Sequence, residues 1–439
     1  MKDRKTVQTS LSGIANKANT QPTHRFRNLY RELNEELFLD SWKRIRKNAA
    51  SGVDGISAKA YGKELEKNIS DLTDRLKRKA YRAKLVRRKY IPKGNGKRRP
   101  LGIPAIDDKL AQLGATRILN AIYEQDFMRC SYGYRPHIGA RDAVAKLTTK
   151  LQFGNYQYVV DADIRGFFEN IDHDLLLEML EQRIDDKAFL RLIRKWLRAG
   201  ILEEDGKTVI RPGAGTPQGG IVSPILANIY LHHVLDVWFH RQVLKRCRGE
   251  ACLIRYADDF VCGFEHREDA EFFVEALKER LAQFKLELAE EKTAIHEFRR
   301  TRPENRFDFL GFEFYWSRDK KGRPHLKKRT SRKKLRSSLE DFTSWIRTHR
   351  SVPIRELFRK LNSKLRGYYN YYGVIDNSPS LWTFYYEVVS RLRKWLSRRS
   401  QRGKVNWDRM NRLVKKFNLE KPRINQRPWR SKRKTVCVY

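Results

Sequence analysis

Long apolar runs are missing from this sequence. No stretch approaches the roughly 20 apolar residues that a membrane-spanning helix needs. Residues 1–20 are polar and lack the apolar segment of a secretory signal. We therefore expect neither membrane insertion nor secretion. Because residues 1–30 hold few large apolar side chains, we also expect them to be partly disordered.

Cysteine is scarce as well. The five cysteines are odd in number, and no two of them form a Cys-x-x-Cys pair. A disulfide scaffold and a structural zinc site are both disfavoured. Cys252 and Cys262 lie in apolar segments, where we expect them to be buried. The pattern predicts a reduced protein of the cytoplasm.

Acidic residues are few relative to basic ones. The chain has 93 Lys and Arg against 52 Asp and Glu, a formal net charge of +41. Such an excess repels itself unless a polyanion is bound, and basic side chains gain affinity by releasing counterions from phosphates. The alternatives are a soluble basic protein without such a partner and a membrane-surface protein. The second would need an anchor or lipidation signal, and we find neither. Nucleic acid is the predicted partner.

Hydrophobic periodicity divides the chain into a mixed body and a helical C-terminal part. Short apolar runs between turn residues predict strands within 81–103, 157–164, 251–264 and 307–315. Amphipathic spacing predicts three helices, within 339–346, 354–368 and 381–395, that form a small bundle distinct from the body. Between the two parts, residues 317–334 carry ten basic residues and one acid, which we interpret as a linker.

Adjacent aspartates occur three times, at 107–108, 185–186 and 258–259. The first pair stands at a predicted helix start and the second between helices. Only Asp258 and Asp259 lie at the tip of two apolar strand-like runs. The two negative charges repel each other there. A bound divalent cation would offset this repulsion, because hard cations bind carboxylate oxygens. An ordinary polar turn is the alternative.

A further carboxylate ends another apolar strand, where Asp161 and Asp163 follow two valines. A carboxylate at the end of a strand, facing a hairpin that carries carboxylates at its tip, is an arrangement that binds two metal ions. Such metals can activate an attacking hydroxyl and stabilise a leaving pyrophosphate. Residues two apart share one face of a strand, so periodicity leaves both aspartates as candidates.

A glycine-rich loop, residues 216–224, leads into a helix that begins at a proline. Paired glycines permit positive φ or a close approach of the backbone to a ligand. Gln218 could hydrogen-bond a nucleotide there. Taken alone, the segment is an ordinary loop.

Together these segments resemble reverse transcriptases, most closely the group II intron-encoded type. Seven blocks follow one another in the family's order: PKGNGKRRPLGIP at 92–104, SYGYRP at 131–136, DIRGFF at 163–168, QGG at 218–220, YADD at 256–259, EKT at 291–293 and FLGF at 309–312. LRGYYNYY at 365–372 resembles the maturase-specific region. The resemblance covers about residues 50–400, and the ordered set is far more specific than any single block.

The resemblance implies an α+β right-hand polymerase, with fingers and a palm on an antiparallel sheet, followed by an α-helical thumb or maturase bundle. The implied domains are an N-terminal extension with pre-fingers helices (1–85), fingers and palm (86–316), a basic linker (317–334), the helical thumb or maturase domain (335–420) and a basic tail (421–439).

For catalysis the resemblance selects Asp163 over Asp161, because the family's aspartate precedes Ile-x-Gly-Phe-Phe. It implies that Asp163, Asp258 and Asp259 are catalytic and bind two Mg²⁺ ions, for which Mn²⁺ could substitute. The backbone carbonyl of Ile164 is an implied further ligand.

A nucleotide site is implied beside these carboxylates. Phe168 would lie under the sugar and leave no room for a 2′-hydroxyl, with a core role as the alternative. Lys93 and Arg99 would grip the triphosphate, unless they are simply solvated hairpin charges. Gln218 and Lys292 complete the implied site.

Two further sets are implied to contact nucleic acid. The implied primer grip is Phe309, Leu310 and Gly311, although core packing would explain these residues equally well. The implied RNA contacts in the helical region are Arg366, Tyr368, Tyr369 and Tyr372. Tyrosines interleaved with arginine suit RNA, but they also suit a bundle core, so we expect the RNA role on exposed faces only.

The predicted function is RNA-directed DNA polymerisation with an RNA template, a DNA primer and dNTPs. The resemblance adds binding of a group II intron RNA, assistance to its splicing, and mobility into a target DNA. The alternatives are a domesticated enzyme of phage defence or another host process, and a mainly RNA-binding splicing cofactor. The sequence lacks the His and Cys ligands of the endonuclease that ends many members, so we expect no DNA cleavage by the protein itself.

Overall fold

A computed structural model describes residues 2–92, 98–216, 219–399 and 404–425. The first elements are α1 (Lys2–Thr20), α2 (Glu35–Arg44), α3 (Ala58–Tyr61), α4 (Leu65–Lys77), β1 (Val86–Pro92), β2 (Arg98–Ile103), α5 (Ile106–Asp126) and α6 (Ala140–Phe153). Next come β3 (Tyr158–Ala162), α7 (Phe167–Asn170), α8 (His173–Glu181), α9 (Lys187–Leu197), β4 (Ile201–Leu202), β5 (Val209–Ile210), α10 (Ser223–Leu231), α11 (Leu244–Arg246), β6 (Ala251–Tyr256), β7 (Asp259–Phe264), α12 (Arg267–Gln283) and β8 (Ala294–Glu297). The last are β9 (Arg306–Phe309), β10 (Phe312–Arg318), β11 (Pro324–Thr330), α13 (Arg332–His349), α14 (Ile354–Tyr372), α15 (Ser378–Leu396) and α16 (Trp407–Lys416).

Within the described ranges, no helix combines the length and the apolar character that crossing a bilayer requires.

Helix α1 overturns the expectation of partial disorder over residues 1–30. It packs along α5, and its side chains Leu11, Ala15 and Ala18 are buried. The three residues recur at intervals of four and three, so they lie on one face of the helix. Small alanines allow this face to approach α5 closely, which a count of large apolar residues does not detect.

The fingers sheet confirms the predicted hairpin in residues 81–103. Strands β1 and β2 pair antiparallel, with Arg87 opposite Ile103 and Pro92 opposite Arg98. The sheet is completed by β4 and β5 in the order β2-β1-β4-β5. Lys93 lies outside the described residues.

The palm sheet has the strand order β6-β7-β3-β8, and all its neighbouring strands are antiparallel. Val160 and Cys262 on one face join the core formed with the N-terminal and palm helices. Val159 and Val261 on the other face join the core of the C-terminal helices. Alternate residues point to opposite faces, so both sides of this sheet are covered.

Residues 317–334 are not a linker. Strands β10 and β11 pair antiparallel, from Phe312 opposite Thr330 to Arg318 opposite Pro324, and α13 begins two residues later. Strand β9 completes this three-stranded sheet on the other side of β10. Alternation along β11 buries Leu326, and the buried Lys328 lies 3.6 Å from Asp376. The basic composition of this segment therefore did not indicate β11, which is held in place by its pairing with β10.

The C-terminal helices α13, α14 and α15 confirm the three predicted helices, and α16 is a fourth that the periodicity did not reveal. Their core is continuous with the palm: Leu361 and Leu365 belong to the same buried cluster as Phe312 and Phe314 of β10. The bundle is therefore not distinct from the body, because its apolar face packs on the sheet that precedes it.

Candidate active site

The Asp258–Asp259 hairpin is a tight turn supported from outside. Tyr256 pairs with Asp259, which leaves Ala257 and Asp258 as the loop. Ala257 has φ 57°, a conformation that a residue with a Cβ rarely adopts. Gly133 packs on it so closely that a Cβ there would lie 2.2 Å from the Ala257 nitrogen. This contact explains the glycine in the block at 131–136.

A fully buried arginine fixes the base of the same hairpin. Arg255 donates two hydrogen bonds to the carboxylate of Asp236, at 2.7 and 2.6 Å. It also donates to the carbonyl of Ala257 at 3.0 Å, to Asn228 Oδ1 at 3.1 Å and to Ser131 Oγ at 2.8 Å. With both charges paired and the remaining donors bonded, the guanidinium can be buried without an orphaned charge.

Asp163 lies immediately after β3, opposite the hairpin. Ala162 pairs with Phe260, so the next step along both strands sets Asp163 opposite Asp259. Ile164 forms an isolated antiparallel bridge with Leu288. The hydrogen bonds beside this bridge use the Asp163 carbonyl and the Arg165 amide. The carbonyl of Ile164 therefore points away from the bridge, as in any non-hydrogen-bonded antiparallel pair.

Asp161 lies in the same cluster of carboxylates. Burial, together with the negative charges of Asp259, Asp163 and Asp308, raises its pKa to about 7. Its strand pairs on both sides at this position, with Val261 and Ala294. Asp163 lies beyond the last paired residue of the strand.

Lys292 faces the carboxylate of Asp163. Its ammonium group donates a hydrogen bond to Asp163, and this bond raises the pKa of Lys292, with Asp259 contributing. No group of three or more His, Cys, Asp or Glu side chains in the described part of the chain is gathered closely enough to hold a metal ion. The carboxylate oxygens of Asp163, Asp258 and Asp259 are nevertheless hard donors of the kind that Mg²⁺ prefers. Binding would require Asp163 to exchange its lysine partner for the cation.

Phe168 lies in a short helix that begins after Gly166, which has φ 53°. Its ring is largely buried and meets the exposed ring of Tyr134 edge to face, with centroids 6.4 Å apart. Burial raises the pKa of Tyr134, as do the charges of Asp258 and Asp259, while Arg99 lowers it. Tyr134 therefore lies among Phe168, Arg99 and the hairpin.

The glycine-rich loop is fixed on both sides of Gln218, which itself lies outside the described residues. Before it, the Thr216 amide donates to the Phe168 carbonyl at 2.8 Å. After it, Gly219 has φ 110°, and a Cβ there would lie 2.5 Å from the carbonyl oxygen of Gly102 in β2. The loop therefore connects the Phe168 turn to the fingers sheet.

The turn between β9 and β10 consists of Leu310 and Gly311, both with positive φ (50° and 77°). Phe309 is buried in the core, so only the two turn residues remain for surface contact. The hydroxyl of Tyr371 in α14 donates to the Leu310 carbonyl at 3.0 Å, and its ring stacks on Phe312. The thumb helix thus holds this turn.

The predicted RNA contacts in α14 need correction. Tyr369 and Tyr372 are buried, and Tyr368 stacks on Phe384 with ring centroids 3.7 Å apart. Rings used in this way form the bundle core and do not reach RNA. Arg366 is exposed and lies 2.8 Å from Glu420, so contact of Arg366 with RNA stays a prediction.

Sequence reasoning missed Arg255, Asp236 and Tyr134. One signal was present: Arg255 is a lone charge within the otherwise apolar run of β6. A charge in such a run is buried only with a partner. Its partner, however, lies 19 residues away on another element.

Comparison with known proteins identifies the family of this chain. Residues 91–314, just over half of the chain, match the family described as reverse transcriptase (RNA-dependent DNA polymerase). Residues 325–414 match the group II intron maturase-specific domain.

Individual relatives show the same likeness. The group II intron-encoded protein LtrA of Lactococcus lactis subsp. cremoris is 32% identical over 447 residues, covering 82% of this chain and 73% of LtrA. Protein YkfC of Escherichia coli K12 is 30% identical over 370 residues, covering 75% of this chain and 94% of YkfC. The chain therefore belongs to the reverse transcriptase family, as an RNA-directed DNA polymerase with a group II intron maturase domain.

Proposed function

We propose that Asp163, Asp258 and Asp259 form the catalytic centre of this polymerase. The observation that carries the proposal is the strand register: Ala162 pairs with Phe260, so β3 and β7 bring Asp163 and Asp259 opposite each other. Asp258 occupies the turn beside them. Carboxylates delivered by adjacent strands of one sheet are what two-metal phosphoryl transfer needs.

Mg²⁺ is the proposed cofactor, and Mn²⁺ a proposed substitute. Two ions would be held by the three carboxylates and the backbone carbonyl of Ile164. When bound, they supply electrostatic stabilisation of the attacking hydroxyl and the leaving pyrophosphate. The hard oxygen donors and the outward carbonyl of Ile164 support this assignment.

The remaining groups would position the nucleotide. Arg99 and Lys93 would hold the triphosphate through charge-assisted hydrogen bonds, and Gln218 would contact the nucleotide from its loop. Phe168 would exclude a ribose by steric contact with its 2′-hydroxyl. Lys292 would donate its hydrogen bond to a phosphate oxygen if the carboxylate of Asp163 were occupied by a metal ion.

We further propose that dNTPs, an RNA template and a DNA primer are the substrates, and that a group II intron RNA and a target DNA are partners. The maturase-specific match and the likeness to an intron-encoded protein support the intron assignment. The proposed place of action is the cytoplasm.

Primer extension tests the catalytic assignment. Purified protein with an RNA template, DNA primer, dNTPs and Mg²⁺ should extend the primer, and Asp258→Ala should abolish extension. Asp185→Ala removes a half-buried aspartate that pairs with Arg27 and is the matched control. Extension should be measured across salt concentrations because binding weakens steeply with salt. No extension by the unaltered protein at any salt would refute the proposal.

The splicing role is separable from catalysis. Asp258→Ala should still assist splicing of the intron RNA that flanks the coding sequence, because RNA binding does not need the catalytic carboxylate. If the folded variant loses both activities equally, the separation of the two roles is wrong.

A further inference from the structure

Helix α9 presents a stripe of basic side chains to solvent. The stripe consists of Lys187, Arg191 and Arg194 in the helix and Arg198 at its C-cap, all exposed. Spacings of three and four residues place them along one face, while Ile193 and Trp196 on the opposite face are buried. The helix from Lys187 to Leu197 contains no acidic residue.

This stripe differs from an ordinary solvated helix face. Like charges three or four residues apart repel and destabilise a helix, whereas opposite charges at that spacing stabilise it. Helix α12 shows the ordinary pattern, with Arg267 and Glu271 2.8 Å apart. Among the described residues of α9, only Arg194 forms a close ion pair with an acidic side chain, Asp174 of α8 at 3.4 Å, while Lys187 interacts with Asp185 at longer range. The remaining repulsion is relieved if a polyanion binds.

A second basic segment packs against α9 on the flank that carries Lys195 and Trp196. Lys195 donates a hydrogen bond to the Tyr81 carbonyl at 2.6 Å, and the Trp196 indole donates to the Tyr81 hydroxyl at 2.9 Å. These bonds hold the segment around Tyr81 against α9. Three exposed basic residues lie within three positions of Tyr81 in this segment: Arg78, Lys79 and Arg82. We call the four stripe residues together with these three the α9 surface.

We propose that the α9 surface binds the phosphate backbone of folded RNA, outside the track of template and primer. The stripe spans 11 residue steps, or about 16 Å of helix, enough to meet several phosphates. Its exposed residues are basic rather than aromatic, which suits backbone contact rather than base stacking. The surface carries none of the catalytic or nucleotide-binding residues assigned above. RNA is favoured over DNA because the chain carries an intron maturase domain, so the inference rests in part on the proposed function.

The test compares two variants that each lose three positive charges. Arg191→Gln/Arg194→Gln/Arg198→Gln alters the α9 surface. Lys67→Gln/Arg267→Gln/Lys278→Gln is the control. These three exposed basic residues lie outside the α9 surface, and each pairs with a glutamate. The probes are an RNA hairpin of about 20 base pairs and a DNA hairpin of the same sequence, with binding measured by fluorescence anisotropy across salt concentrations.

The α9 variant should bind the RNA hairpin roughly tenfold more weakly, and its slope of log affinity against log salt should fall by roughly 2 to 3. The control should stay within about twofold of the unaltered protein. Thermal unfolding monitored by circular dichroism should be the same for both variants. Primer extension on a short preformed template–primer should be unchanged in the α9 variant.

Three results would overturn the proposal: unchanged RNA affinity, an equal loss in both variants, or a loss confined to the DNA hairpin. A parallel fall in primer extension would also overturn it, because the α9 surface would then belong to the template–primer track. An unaltered protein that binds the RNA hairpin but extends no primer would refute the proposed catalytic function and leave this inference standing.

Discussion

Arg255 and Asp236 form a doubly hydrogen-bonded ion pair, at 2.7 and 2.6 Å, with both side chains fully buried. The same guanidinium holds the carbonyl of Ala257 in the turn that carries Asp258. A charge pair inside the palm core therefore determines where the proposed catalytic hairpin sits. Removing one member would leave the other charge buried without a partner.

Arg255→Lys should therefore damage catalysis more than substrate binding. A lysine keeps the charge but cannot make the forked contact with Asp236 and also reach Ala257. We expect kcat for primer extension to fall by roughly tenfold, or about 1.4 kcal/mol, with little change in KM for dNTP. Steady-state kinetics measures both constants.

Arg183→Lys is the matched control for this change. Arg183 is also buried and pairs with a carboxylate, Asp126, at 2.8 Å, but it contacts the N-terminal segment instead of the hairpin. If both variants lose stability to a similar degree and neither changes kcat, Arg255 has only a structural role.

Asp236→Ala should lower the free energy of unfolding by about 3–5 kcal/mol, because it leaves the charge of Arg255 buried without its carboxylate partner.

Gly133→Ala should disable the enzyme. The added Cβ would lie 2.2 Å from the backbone nitrogen of Ala257, so the hairpin turn or the 131–136 block must move. A misplacement of about 1 Å near reacting groups can cost roughly a hundredfold in rate. Gly139→Ala is the control, since a Cβ there meets nothing within 4 Å. Equal extension rates in the two variants would show that the contact does not set the hairpin position.

Phe168→Ala should relax the choice of sugar. The ring lies against Tyr134 at the proposed nucleotide site, and its removal would open space beside the 2′ position. Incorporation of ribonucleotides should rise relative to deoxyribonucleotides in single-nucleotide extension assays. Phe168→Tyr keeps the bulk of the ring and should keep the selectivity. Unchanged sugar selectivity in the alanine variant would refute the steric role.

Acid should destabilise the protein through His232 and His233. Burial lowers the pKa of each to about 4, and both lie in the π-helical stretch His232–Asp236 that follows α10. The unfolded chain binds protons near pH 6.5, so the stabilising contribution is present above that pH and is lost as the pH falls towards 4. The loss should be on the order of 3 kcal/mol per histidine by pH 4, of which about 2 kcal/mol falls between pH 7 and pH 5.

Urea unfolding between pH 7 and pH 5 measures this effect. Replacing both histidines with asparagine should flatten the decline of the unfolding free energy over that interval. The exposed His266 provides the control, and His266→Asn should leave the decline unchanged. An unaltered slope in the double variant would assign the acid sensitivity to other groups.

Local pattern in the sequence was enough to predict several parts of the molecule. Periodicity and turn residues within short windows predict the fingers hairpin and the strands before Asp163 and around Asp258. The same signals predict helices α13 to α15. The ordered blocks, read as a resemblance, supplied the family and the choice of Asp163. These features depend on residues that are close together in the chain, so they can be predicted from the sequence alone.

Other features depend on contacts between distant residues. Helix α1 is ordered because α5 covers its small buried face, and residues 317–330 form a strand pair despite their charge. Tyr368, Tyr369 and Tyr372 of α14 pack in the core because β10 and α15 cover them. Arg255 is buried because Asp236, on another element, neutralises it. The sequence by itself determined which segments form and to which family the chain belongs. Only the tertiary structure decided which side chains are buried or paired, because burial and pairing depend on partners brought together by folding.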